Sequence, residues 1–145
     1  MKITAFLLTA FASVLIAACG KDKFETTPKI EITGYNTKHL VIGQILNVTM
    51  DYFDKEGDLN NAGLTAMVNR LNAETPNIPL TDTFYYILPD FPPKDKGEIV
   101  ARIPYNSLKR MSFENDTIQL KLAVVDREGN ASDTVTTDNI IILLP

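Results

Sequence analysis

Few residues in this chain could do chemistry, and most of them are carboxylates. Two segments echo each other: Asp54-Lys55-Glu56-Gly57-Asp58 and Asp126-Arg127-Glu128-Gly129-Asn130. Each runs acid, base, Glu, Gly, then Asp or Asn, directly after an apolar run. Glycine supplies the positive φ that a tight turn demands, and Asp or Asn tolerates left-handed backbone nearby. On the plainest reading these are two well-made turns. Asp54, Glu56, Asp58 and Asp126 are also hard oxygen donors of the kind that calcium takes. The spacing is not that of an EF-hand loop, because Gly57 comes too early in the run. Two carboxylates about 5–10 Å apart are all that a glycosidase needs, so a carboxylate-dependent hydrolase is an alternative, although no spacing here points to one.

Other chemistry is sparse. His39 is the only His and Cys19 the only Cys. His39 adjoins Leu40-Val41-Ile42 and reads as a surface or edge residue. Phe84-Tyr85-Tyr86 offers aromatic faces for a sugar, but alternation puts Phe84 and Tyr86 on one side of a strand, where packing is the simpler role. No catalytic set is expected, and the chain reads as non-enzymatic.

The N-terminus is a different kind of signal. Met1-Lys2 is followed by an uncharged, mostly apolar run from Ile3 to Ala18. That run is shorter than the roughly 20 residues a membrane-spanning helix needs, and suits a signal-peptide core. Without residues 1–18, 127 residues remain, with 13 Lys and Arg against 18 Asp and Glu. That is enough chain for one domain with a core. The acidic balance argues against nucleic acid, which needs a basic footprint.

The elements that must position the carboxylates read as strands. Apolar runs of strand length alternate with turn signals from Ile30 onward. Strands are expected at Ile30–Ile32, Gln44–Phe53, Leu64–Leu71, Phe84–Leu88, Ile99–Ile103, Thr117–Val125 and Ser132–Leu144. In the second, Leu46, Val48, Met50 and Tyr52 share one face. In the sixth, Ile118, Leu120, Leu122 and Val124 do. Tyr105–Met111 is the one helix-like piece, a single turn crossing between sheets. Pro76, Pro79, Pro89, Pro92 and Pro93 fall between or at the ends of these runs, where proline is tolerated. About seven short strands with such turns predict an all-β sandwich. The expected organisation is a leader over 1–18, a lipidated N-terminus and tether over 19–29, and one domain over 30–145.

Two resemblances add to this. Ile16-Ala17-Ala18-Cys19 resembles the lipobox of bacterial lipoproteins. That implies cleavage before Cys19 and acylation of its thiol and amine, hence attachment to a membrane through lipid. Gly20 stands where a retention Asp is found in enteric bacteria, and Lys21-Asp22 resembles the export signal of Bacteroidota surface lipoproteins. The resemblance implies the outer membrane, with a preference for the cell surface. Ala123-Val124-Val125-Asp126 through Ser132 looks like the F–G hairpin of fibronectin type III and immunoglobulin-like domains. Gly43 to Leu59 looks like strand B and the B–C loop of bacterial immunoglobulin-like and cadherin-like modules. No Trp is present for strand C, and Ile118 stands where many type III domains have a Tyr.

The immunoglobulin-like topology implies that the B–C and F–G loops lie at one end of the sandwich. Asp54, Glu56, Asp58 and Asp126 would then converge, with Asp51 close by, and the first strand would begin at the same end. Asp116-Thr117-Ile118 and Asp133-Thr134-Val135 resemble O-glycosylation sites of Bacteroidota envelope proteins, with Thr117 and Thr134 as acceptors; both also make good strand starts. The function these features lead us to expect is a lipid-anchored binding or structural module, partnered by another envelope protein or a glycan. A calcium-stabilised or glycan-binding accessory protein is the alternative.

Overall fold

In the computed structural model, residues 26–72, 81–111 and 113–145 are described. The leader, Cys19, and Pro76 and Pro79 lie outside them. Among the described residues the chain is an all-β sandwich of two sheets with an immunoglobulin-like strand order.

The first sheet has three strands: β1 (Lys29–Tyr35), β3 (Ile45–Phe53) and β6 (Lys96–Pro104), in the order β1-β3-β6. The second holds β2 (His39–Leu40), β9 (Ile140–Ile142), β7 (Asp116–Val125), β4 (Gly63–Arg70) and β5 (Thr81–Ile87), in that order. A further strand, β8 (Val135–Thr136), also pairs with β7. Apart from the parallel pair β2–β9, every pairing is antiparallel.

Alternation builds the core. Along β3, Leu46, Val48, Met50 and Tyr52 are buried while Asn47, Thr49 and Asp51 face away. Along β7, Ile118, Leu120, Leu122 and Val124 are buried. Leu64, Ala66 and Val68 of β4 and Ile99, Ala101 and Ile103 of β6 complete the two inner faces. Each fully buried aliphatic side chain of this size contributes about 1.5–3 kcal/mol. Phe84 and Tyr86 pack against this core, and Tyr85 points out.

Pro104 closes β6, and α1 (Tyr105–Leu108) carries the chain from the first sheet to the second. The turn is tied down from several sides. The Tyr105 hydroxyl donates to the Leu143 carbonyl at 2.6 Å. Arg70 donates to the Leu108 carbonyl at 3.0 Å. The buried Asp116 carboxylate accepts the N–H groups of Arg110 and Met111. Ile118 is a core residue, so the tyrosine that ties this crossover comes from Tyr105 on the turn itself.

Two features differ from the sequence expectation. The final strand is not continuous over Ser132–Leu144: it is broken into β8 and β9, and Thr137 between them is buried. Thr137 donates its N–H to the Leu120 carbonyl, and its Oγ1 accepts the Leu120 N–H. Ser132 does the same against Val124. A side-chain hydroxyl replaces a ladder carbonyl at both places. The second feature is β2, two residues long, which carries the exposed His39 on the edge of the second sheet.

A candidate cation site between two turns

The β3–β4 and β7–β8 connections leave the sandwich at one end, because Gly63 at the start of β4 is in register with Val125 at the end of β7. The echo in sequence is an echo in geometry. In the first turn the Asp54 carbonyl accepts the Gly57 N–H at 3.1 Å, and Asp54 Oδ2 accepts the Asp58 N–H at 2.8 Å. In the second, the Asp126 carbonyl accepts the Gly129 N–H at 3.2 Å, and Asp126 Oδ1 accepts the Asn130 N–H at 2.7 Å. Gly57 and Gly129 have φ of 68° and 92°, the left-handed region where a Cβ is penalised. A Cβ on Gly57 would also lie 3.0 Å from the Lys94 backbone nitrogen.

The turns differ at their fifth residue. Asn130 donates its side-chain amide to Asp126 Oδ2 at 2.8 Å, which completes that carboxylate. Asp58 stands in the same place opposite Asp54 and, when ionised, has no proton to donate. Asp54 Oδ1 and Asp58 Oδ1 are buried and meet no N–H or hydroxyl donor, and neither does Asn60 Oδ1 two residues on. Asp54 itself is 1% exposed.

Carboxylate oxygens of Glu56, Asp58 and Asp126 all lie within 4.8 Å of one another. Glu56 is exposed, Asp58 half-buried and Asp126 buried, so the group opens to solvent on the Glu56 side. Asp54 is not one of the three; it sits behind Asp58, within hydrogen-bonding reach of its carboxyl group. Burial, then the charges of Asp126 and Asp54, push the Asp58 carboxyl above its ordinary range. Loss of some hydration beside the turn, then the charges of Glu128 and Asp58, do the same to Glu56, exposed as it is. Both shifts report desolvation first and neighbouring negative charge second.

Of the four acids expected to converge, three bring their oxygens together and the fourth backs them. Asp51 is elsewhere. It faces outward from β3, in register with Glu31 on one side and Glu98 on the other. Glu128 adds its charge to the cluster without having been singled out; its place in the repeated motif was the available signal. Thr117 lies within β7, half-buried, its N–H bound to Asn72 Oδ1. Thr134 is exposed ahead of β8. Cys19 lies outside the described residues.

Compared with known proteins, the chain matches no family model and no curated protein.

Proposed function

We propose that this chain is a lipoprotein of the Bacteroidota type, anchored in the outer membrane through Cys19, and that its β-sandwich is a non-enzymatic binding or structural module of the cell envelope. The observation that carries this reading beyond the leader is a register. Lys29, the first residue of β1, pairs with Phe53, the last residue of β3, one position before the acidic turn. A tether running from Cys19 to Lys29 therefore enters the domain at the end that carries the carboxylates.

A sandwich held by one end presents the other. Val41, Ile42, Ile45, Leu71, Phe113 and Leu144 are exposed at that opposite end. Lys109, Arg110, Ile42 and Tyr105 line a shallow open hollow there of about 370 Å³. Apolar side chains edged by base suit a protein partner better than an anionic surface made of acids would.

Two measurements test the reading. Mass spectrometry of the native N-terminal peptide should find acylated Cys19, and Cys19→Ser should move the protein from the membrane to the soluble fraction. An unacylated native N-terminus rules the reading out. Photo-crosslinkers at Ile42 and at Glu128 then compare the two ends. The reading expects a partner captured from Ile42 and not from Glu128.

A further inference from the structure

We propose that the outer face of the first sheet, from the bulge in β1 to the acid row beside it, binds a neutral saccharide. The face lies away from the Ile42 hollow, and its use does not depend on lipid attachment of the chain.

The bulge opens a hollow. Ile32 pairs with Met50 and Gly34 with Thr49, so Thr33 is an extra residue in β1. Bulges bend a strand and re-aim its side chains. The Thr33 hydroxyl reaches across to donate to the Thr49 carbonyl at 3.3 Å. Gly34 follows with no side chain, and a Cβ there would meet no atom within 4 Å. The result is an open hollow of about 470 Å³ over the three strands, with Gly34, Asn36, Asn47, Thr49 and Val100 in its lining. That volume is within the range of small-ligand sites.

The lining selects its occupant. It contains no charged residue, so nothing in it pairs with a phosphate, a carboxylate or an ammonium group. It offers hydroxyl and amide groups beside Val100, an exposed apolar side chain. A sugar ring carries the matching mixture of O–H groups and C–H surface. Asn47 Oδ1 is buried and meets no N–H or hydroxyl donor. An acceptor in that state is costly. A turn of the half-buried Asn47 side chain would present it to a sugar O–H, a donor that a purely apolar occupant lacks.

An acid row adjoins the hollow. Two residues along the same face from Thr49 and Val100, about 7 Å away, stand Asp51 and Glu98, in register with each other and with Glu31. Like charges so placed are unfavourable, and a binding surface is where a fold trades stability for function. Sugar hydroxyls donate to carboxylates in charge-assisted hydrogen bonds and bring no charge of their own. A saccharide seated in the hollow and running along β3 would meet Asp51 and Glu98 in this way, and an anionic chain would be repelled. A peptide strand would instead seek the unpaired backbone of a sheet edge, whereas Thr49 and Asp51 belong to a central strand paired on both sides.

The test titrates the purified, isotope-labelled protein, in a detergent without a sugar headgroup, with cellohexaose, mannohexaose, xylohexaose, maltohexaose and chitohexaose. At least one should shift the backbone amide resonances of Gly34, Thr49 and Asp51 in a saturable way, with a Kd at or below about 10 mM, the weak end expected of an open surface site. Hexagalacturonate should bind at least tenfold more weakly than the best neutral chain. G34L should fold as the wild type does, because Gly34 is not in left-handed backbone and its Cβ position is open, and it should lose the sugar by filling the hollow. D51T should weaken binding about tenfold or more by removing a charged acceptor. Because it also relieves the acid row, it should melt above the wild type, so its loss of binding cannot be put down to misfolding. The proposal is overturned if no neutral hexaose moves those amides at about 10 mM, or if the shifts fall on another surface. It is also overturned if hexagalacturonate binds as tightly as the neutral chains, or if G34L or D51T binds like the wild type.

Discussion

The side-chain amide of Asn130 lies 2.8 Å from Asp126 Oδ2, while the backbone N–H of the same Asn lies 2.7 Å from Asp126 Oδ1. One residue thus satisfies both oxygens of a carboxylate that is almost fully buried. The turn owes its shape to that pairing as much as to Gly129. Replacing Asn130 with Ala removes the side-chain bond to a charged acceptor and should cost about 1–2 kcal/mol in urea unfolding. Replacing it with Asp should cost more than Ala does, because a second carboxylate would then face Asp126. A smaller loss for Asp than for Ala would show that the amide contributes little.

Thr137 interrupts the last strand, yet the ladder is not broken there. Its Oγ1 accepts the buried Leu120 N–H at 2.9 Å. Val has the same shape and lacks that acceptor. T137V should therefore leave the Leu120 amide unpaired and destabilise the domain by about 1–3 kcal/mol. Hydrogen exchange at Leu120 should accelerate more than at Leu122. An unchanged unfolding midpoint would mean that the strand re-forms across the break.

Asp51 stands between Glu31 and Glu98 in the register of the first sheet. Like charges directly opposite one another on neighbouring strands are unfavourable. D51T removes the central charge and installs a residue suited to strands. The variant should melt above the wild type at low salt, and the gain should shrink as salt screens the row. A gain that is independent of salt would assign the effect to propensity alone.

Gly97 faces Tyr52 across β3 and β6. A Cβ at Gly97 would lie 2.8 Å from Tyr52 Cε1 and 2.9 Å from its hydroxyl oxygen. The ring covers the glycine, and it is too buried to swing clear. G97A should cost about 1–3 kcal/mol through overpacking. Combining it with Y52L, which removes the ring, should give less than the sum of the two single losses. Additive losses would show that the two residues do not press on each other.

The strands that alternate cleanly were legible from the chain alone. Period two in Leu46 to Tyr52 and in Ile118 to Val124 admits one inward face, and the structure buries that face. The echo of the two Asp-Gly turns was legible too, because three residues recur identically and two in kind, in the same order. What escaped was non-local or side-chain specific. His39 and Leu40 form a strand because Ile141 and Ile142 run beside them, and two residues carry no period of their own. Thr137 reads as one more strand residue until its hydroxyl is seen acting as an acceptor. Asp54 read as a fourth equal ligand, because spacing does not tell an acid that faces the group from one that braces it. Asp51 was grouped with the turn by its position in sequence, although alternation carries it to the outer face.

The pairing of β2 with β9 joins distant parts of the chain. Lys38 meets Asp138, 100 positions further along, at 2.6 Å, and the Tyr105 crossover takes its acceptor from Leu143. Contacts of such long separation are slow to find, because the loop they close must be ordered before they reward it. As the chain emerges in order, β1 to β7 can collapse on one another while the edge of the second sheet is still open and the crossing turn still lacks its hydrogen-bond acceptor. In a chain that folds in order of emergence, residues 140–143 would be the latch of the domain, and the sheet edge would stay unprotected until they arrived.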